Sequence, residues 1–146
     1  MTMVILLDAG PLGLITNPRA SQEARECNQW LEALALKEIQ VKIPEIADYE
    51  VRRELLRADK FKGIERLNDL QRYLDYVPLT TQTILKAAQF WAQVRKQGRP
   101  TADDKALDGD VILAAQCIGY LGHLFVKNQL SEDSCDECFW FVSPQL

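Results

Sequence analysis

The order of apolar runs in this chain predicts an α/β fold, a three-layer α/β/α domain built on a mostly parallel central sheet. Three observations carry that expectation. The chain opens on an unbroken apolar run, Met3-Val4-Ile5-Leu6-Leu7, that stops at Asp8. Such a run suits a strand covered on both faces, as parallel strands are. Strand-like and helix-like stretches then alternate, the pattern of βαβ units. Finally, Val111 to Ile118 is apolar on nearly every side of a helix, which places that helix in the interior.

Taken in order, Gly10 to Ile15 reads as a short helix. Thr16-Asn17-Pro18 stops it, because proline pushes its predecessor out of the helical region. From Ser21 to about Lys37 a longer helix is expected: Ser21 caps it, Glu23 lies in its first turn, and Cys27, Trp30, Leu31 and Leu34 recur at helical spacing. Ile39 to Ile43 alternates as a strand closed by Pro44. Pro44-Glu45 is a favourable helix opening, and the helix runs from Ile46 to Arg57 with Glu50 set among Ile46, Tyr49, Val51 and Leu55.

A further helix is expected from Ile64 to Tyr76, after Gly63, and a short third strand at Val77-Pro78-Leu79, which its proline makes a poor central strand. Thr83 to Lys96 has helical spacing, and Gly98 ends it. The segment from Gly98 to Leu107 reads as a polar loop with room for one helical turn over Ala102 to Lys105. Asp108-Gly109-Asp110 opens the buried helix. His123 to Lys127 is a further strand, and Phe139 to Val142 a last edge strand. No internal repeat or linker interrupts the chain, so a single domain over residues 1–146 is expected.

Composition narrows the function. A chain of 146 residues buries roughly two thirds of the surface its unfolded form exposes. Seventeen basic against twenty-one acidic side chains give a net charge of −4, so a nucleic acid would have to be held by a local patch or through a metal. No apolar run approaches the ~20 residues of a membrane span. The first residues lack a basic start and cleavage site, which together predicts a cytoplasmic protein. Cys27, Cys117, Cys135 and Cys138 are too few and too scattered for a disulfide scaffold.

The chemistry lies in the acids. Asp8 stands at the carboxyl end of the first strand, where ligands bind in open parallel sheets. An acid there also occurs in phosphotransferases and as a plain helix cap, so the other acids decide. Glu50 lies in the helix after the second strand and Asp110 starts the buried helix before a late one. Right-handed crossovers bring helix starts to the edge where Asp8 sits. Carboxylates brought together there repel by about 4 kcal/mol per pair at roughly 4 Å and an effective dielectric of about 20. A divalent cation with oxygen preference, Mg²⁺ or Mn²⁺, removes that repulsion. Asp108 competes with Asp110 for the role. Residues two apart on a helix face different ways, so Asp108 is read as the helix cap and second choice as ligand, with Asp110 as the first. Asp103 and Asp104 read as solvated loop acids.

These residues carry a resemblance to a known family. Ile5-Leu6-Leu7-Asp8, Glu50, Gln97-Gly98-Arg99-Pro100, Asp110-Val-Ile-Leu-Ala-Ala and Phe125-Val126-Lys127-Asn128, in that order, resemble the PIN-domain ribonucleases, among them the VapC-type toxins of bacterial toxin–antitoxin pairs. The resemblance implies a metal-dependent endoribonuclease in which Asp8, Glu50 and Asp110 hold one or two Mg²⁺ or Mn²⁺ ions, with RNA as substrate and an antitoxin protein as partner. Three departures stand out, one being that the threonine usual near Asn128 is replaced within Phe125-Val126-Lys127. Ala9 and Gly10 follow Asp8 where the family often has a hydroxyl residue. Asn128 replaces a frequent aspartate, leaving it a water-mediated contact and removing a formal charge.

Arg52, Arg53 and Arg57, with Lys60 and Lys62, form a basic run that takes RNA phosphates if it lies beside the metal, and otherwise is a solvated face. Lys127 joins them as an RNA-binding candidate. Leucines and tyrosines on the tail of the first long helix and on the Ile64 to Tyr76 helix suit a homodimer interface or the core. Cys135 and Cys138 have the spacing of half a zinc site, but a structural zinc needs four ligands and His123 is the sole histidine. No catalytic triad or phosphate-binding glycine loop is evident. Two other functions compete: a catalytically idle PIN-like module that binds nucleic acid or protein, and a phosphotransferase domain with Asp8 as phosphoacceptor.

Overall fold

The structure is a computed structural model that describes residues 4–17, 19, 21–98, 104–121 and 139–142. The elements in chain order are β1 (Val4–Leu7), α1 (Ala9–Thr16), α2 (Gln22–Leu36), β2 (Gln40–Pro44), α3 (Glu45–Arg57), α4 (Phe61–Tyr73), β3 (Asp75–Val77), α5 (Thr81–Lys96), α6 (Asp104–Leu121) and β4 (Phe139–Val142). The described strands form one sheet in the order β3-β2-β1-β4. β1, β2 and β3 run parallel, with Ile5 opposite Val41 and Ile43 opposite Tyr76, and β4 lies antiparallel to β1 at the edge. The expected strand over His123 to Lys127 falls outside the described residues.

All four residues of β1 are buried, which is why the run carries no polar alternation. Ile5 and Leu7 face one side and pack with Leu12, Ile15, Cys27, Leu34, Val51 and Leu67 from α1, α2, α3 and α4. Val4 and Leu6 face the other and pack with Leu113 and Cys117 of α6. α6 turns its opposite flank, Val111 and Ala115, to Ala87, Phe90 and Trp91 of α5. Helices thus cover both faces, as the sequence predicts. Full burial of each such aliphatic side chain contributes about 1.5–3 kcal/mol.

The parallel arrangement sends the ends of β1, β2 and β3 to one edge, and the next helix starts there each time. Asp8 caps α1, its Oδ1 accepting from the Ala9 N–H at 2.7 Å. Pro44 ends β2 and is itself the N-cap of α3. Thr80 caps α5 through the Thr83 N–H. Gln116, fully buried on α6, ties that edge together: its Nε2 donates to the Val77 carbonyl at 2.7 Å and its Oε1 accepts from the Ile46 N–H at 3.3 Å.

Three expected boundaries are corrected. α4 starts at Phe61, a turn before Ile64, because the left-handed Asp59 (φ 52°) reverses the chain at once. Gly63 is then no break but a point of close approach to α3, where a Cβ would stand 2.7 Å from Leu55 Cδ2. At its far end α4 stops at Tyr73 and the strand is Asp75–Val77 rather than Val77-Pro78-Leu79. Tyr76 pairs into the ladder, and Pro78, which has no N–H to offer, ends it. α6 begins at Asp104, so Asp108 lies inside the helix and is not its cap. The run Asp104-Lys105-Ala106-Leu107 is as helix-compatible as the apolar stretch from Val111 onward, and Gly109 does not interrupt it.

A candidate metal centre at the carboxyl edge

Three acids from distant parts of the chain lie near this edge. Asp8 stands where β1 ends, Glu50 on the second turn of α3, and Asp110 on the second turn of α6. Their charges act on one another. Partial burial and then the charge of Asp8 raise the pKa of Glu50; Arg53 offsets part of this, and Asp110 adds to it. Partial burial and then Asp8 raise the pKa of Asp110 as well, although the residue stays largely exposed. Burial and then the same charge push the Cys117 thiol up to about 12. Asp8 is therefore the electrostatic centre of the group. Among the described residues no three acids, histidines or cysteines stand close enough to chelate an ion as they are. The carboxylates sense one another without converging.

Since both Asp108 and Asp110 are helical, they point about 200° apart around α6. Asp110 is the one whose field reaches Glu50. Gly109, between them, is where α6 meets α3. A Cβ built on it would overlap Glu50 Oε1 and stand 3.3 Å from Glu50 Cδ. The sequence marks this contact only as a glycine within a helix-compatible run.

The basic run divides. Arg53 and Arg57 share the Glu50 side of α3 and, with Lys60, Gly10 and Gly13, line a cleft of about 540 Å³ that includes Glu50. The Arg53 guanidinium lies 5.2 Å from the Tyr49 ring centre, and Arg57 pairs with Glu54 at 2.7 Å. Arg52 points elsewhere. Its Nε and Nη2 donate to the two oxygens of buried Asp48 at 2.7 and 3.1 Å, and Nη1 to Asn68 Oδ1 at 2.9 Å. The same carboxylate accepts from Gln71 and from the Tyr76 hydroxyl, so a single buried charge joins α3, α4 and β3. Burial raises the pKa of Asp48, but hydrogen bonds from Arg52 and Tyr76 and the charge of Arg52 outweigh it and hold the carboxyl below its ordinary value. Sequence inspection does not find this network, because its members lie on three elements. Lys127 and Asn128 lie outside the described residues.

No protein-family model matches the chain, and no curated protein matches it in sequence. Among solved structures it is similar to a chain in the crystal structure of VapBC2 from Rickettsia felis bound to a DNA fragment from their promoter. The TM-score is 0.64 over 89% of this chain and 90% of that one, at 16% identity. The fold is PIN-like. At that identity the likeness extends to the architecture, and a PIN-like arrangement is what puts the strand ends and the starts of α1 and α3 at one edge. Among the described residues no helix is long and apolar enough to cross a membrane.

Proposed function

We propose that this PIN-like chain is a metal-dependent endoribonuclease that hydrolyses RNA phosphodiester bonds, acting as the toxin of a toxin–antitoxin pair. The observation that carries the reading is the coupling of Asp8, Glu50 and Asp110, in which Asp8 adds to the repulsion felt by both others and Asp110 to that felt by Glu50. Idle surface acids avoid such company, and oxygen-only donors suit Mg²⁺ or Mn²⁺. Asp8, Glu50 and Asp110 would hold the metal. When bound, it supplies a more acidic water and charge stabilisation at the leaving oxygen.

The rest falls to the chain's own groups. The Asp8 carboxylate is oriented by the cap it makes at the start of α1, and that of Glu50, on α3, lies against α6. Arg53, Arg57 and Lys60 on the adjoining cleft bind RNA phosphates. Arg52, engaged by Asp48, serves the fold instead. That the similar structure is a VapBC2 complex bound to promoter DNA supports an antitoxin partner here.

The test is cleavage of RNA by the purified chain in Mg²⁺ or Mn²⁺. Cleavage is expected to stop with EDTA and to be lost in Asp8→Asn and Glu50→Gln. One observation favours the idle binding module, namely that no three described groups are close enough to chelate. Metal uptake without cleavage would decide for that module, and intact RNA with no metal uptake would overturn the site altogether.

A further inference from the structure

α6 begins at Asp104, so Gly109 occupies its second turn, where glycine weakens a helix. Its backbone does not require glycine. Among the described residues the glycine with positive φ is Gly98, not Gly109. Nor is it a packing glycine like Gly63, whose missing side chain leaves room for Leu55 Cδ2 and Cδ1 and lies 3.5 Å from the Thr16 carbonyl. Its own helix backbone and chain neighbours aside, the three atoms nearest a Cβ on Gly109 all belong to the carboxyl group of Glu50.

From this we infer that Gly109 is a positioning residue of the acidic site: its bare Cα provides the space in which the Glu50 carboxylate lies against α6, beside Asp110. The inference rests on the reading of Asp8, Glu50 and Asp110 as a metal site. What a methyl group would strike is the end of a flexible side chain, not backbone. Alanine therefore does not oppose the fold; it displaces the Glu50 carboxylate from its place against α6. A residue that would touch no ion thereby sets the distance between two that would.

The experiment is a Mn²⁺ titration of the full chain, read by the paramagnetic resonance of unbound Mn²⁺, on wild type, Gly109→Ala, Glu50→Ala and the double variant, with a melting curve for each. Gly109→Ala should melt at or above wild type and bind Mn²⁺ about 10–100-fold more weakly, the range for groups that orient metal ligands. On the Glu50→Ala background the same change should alter binding by less than about twofold, because the effect passes through Glu50. Wild-type binding in Gly109→Ala, or an equal loss on both backgrounds, would overturn the proposal. Should Gly109→Ala melt below wild type, the double variant must melt no lower than Glu50→Ala, the obstructing carboxylate being gone; a deficit that persists would overturn it too. Absence of Mn²⁺ binding by wild type brings down the metal-site reading and this inference together, whereas binding by wild type with an unaffected Gly109→Ala removes this inference alone.

Discussion

Asp8→Asn should make the metal-free protein more stable and the metal-loaded protein less so. Asparagine caps a helix about as well as aspartate, so the start of α1 should survive while the charge that raises both Glu50 and Asp110 disappears. Neighbouring carboxylates shift one another over roughly 4–6 Å, where Coulomb's law gives about 3–4 kcal/mol per pair at an effective dielectric of about 20. Asp110 is exposed and Glu50 only half-buried, so solvent screening reduces the total gain to about 1 kcal/mol. For a chain of this size that is about 2–4 °C in melting temperature.

Wild type should instead gain from Mn²⁺, by about 2.7 kcal/mol at a hundred times the dissociation constant, and Asp8→Asn should gain far less. The order of the two melting curves therefore reverses between EDTA and Mn²⁺. pH gives a second check on the same charges. The folded pKa values of Glu50 and Asp110 are raised, so their contribution is complete below the unfolded values and is lost as pH rises through the folded ones. Without metal, the stability of Asp8→Asn relative to wild type should therefore rise as pH climbs out of the carboxylate range, the opposite slope from Asp48 being common to both. Circular dichroism melting in the two buffers measures all of this. A variant that gains nothing in EDTA, or gains as much as wild type from Mn²⁺, would refute the role given to Asp8.

Three further outcomes are expected. Asp110→Asn should lose most Mn²⁺ affinity while Asp108→Asn keeps it, and calorimetry showing the reverse would exchange their roles. Tyr76→Phe takes a donor from buried Asp48 and should cost about 1–3 kcal/mol by denaturant titration. The Tyr76 hydroxyl is pushed up from 10.0 to about 12, so its contribution is complete below the lower value and lost towards the higher; an alkaline melting series in which Tyr76→Phe keeps that loss would contradict the assignment. Arg53→Ala and Arg57→Ala should weaken RNA binding and flatten its salt dependence with little change in melting. Arg52→Ala should lower the melting temperature by leaving Asp48 short of its main partner, and filter binding beside melting curves separates the two classes.

What the sequence discloses depends on how local the cause is. β1 is legible because burial on both faces leaves four consecutive apolar residues, and the cap at Ser21 is legible because its partner, Ala24, is three residues away. The end of α4 is not, for nothing within the run Leu74-Asp75-Tyr76 says that Tyr76 will pair with Ile43 and give its hydroxyl to Asp48. A tertiary partner there outweighs helical spacing. The same distinction runs through the candidate site. The order of strands and helices sends Asp8, Glu50 and Asp110 towards one edge, which is how the sequence brings them forward together as candidates.

The division of the basic run is decided elsewhere. Arg52 and Arg53 are adjacent and chemically alike, yet one turns to a buried carboxylate from its own helix and the other to the cleft beside Glu50. Helical spacing places Arg53 and Arg57 on the Glu50 side, but that Asp48 is buried and needs Arg52 is decided by α4 and β3 closing over it. Gly109 has the same character. Its residue type weakens the helix that carries it, and what a side chain there would strike lies on α3, 59 positions earlier in the chain at Glu50. Where a residue departs from what its own element prefers, the cause is a contact with another element. In this chain the Asp48 network with Arg52 and Tyr76 ties α3 to α4 and β3, while Glu50 lies against Gly109 on the side of the candidate site.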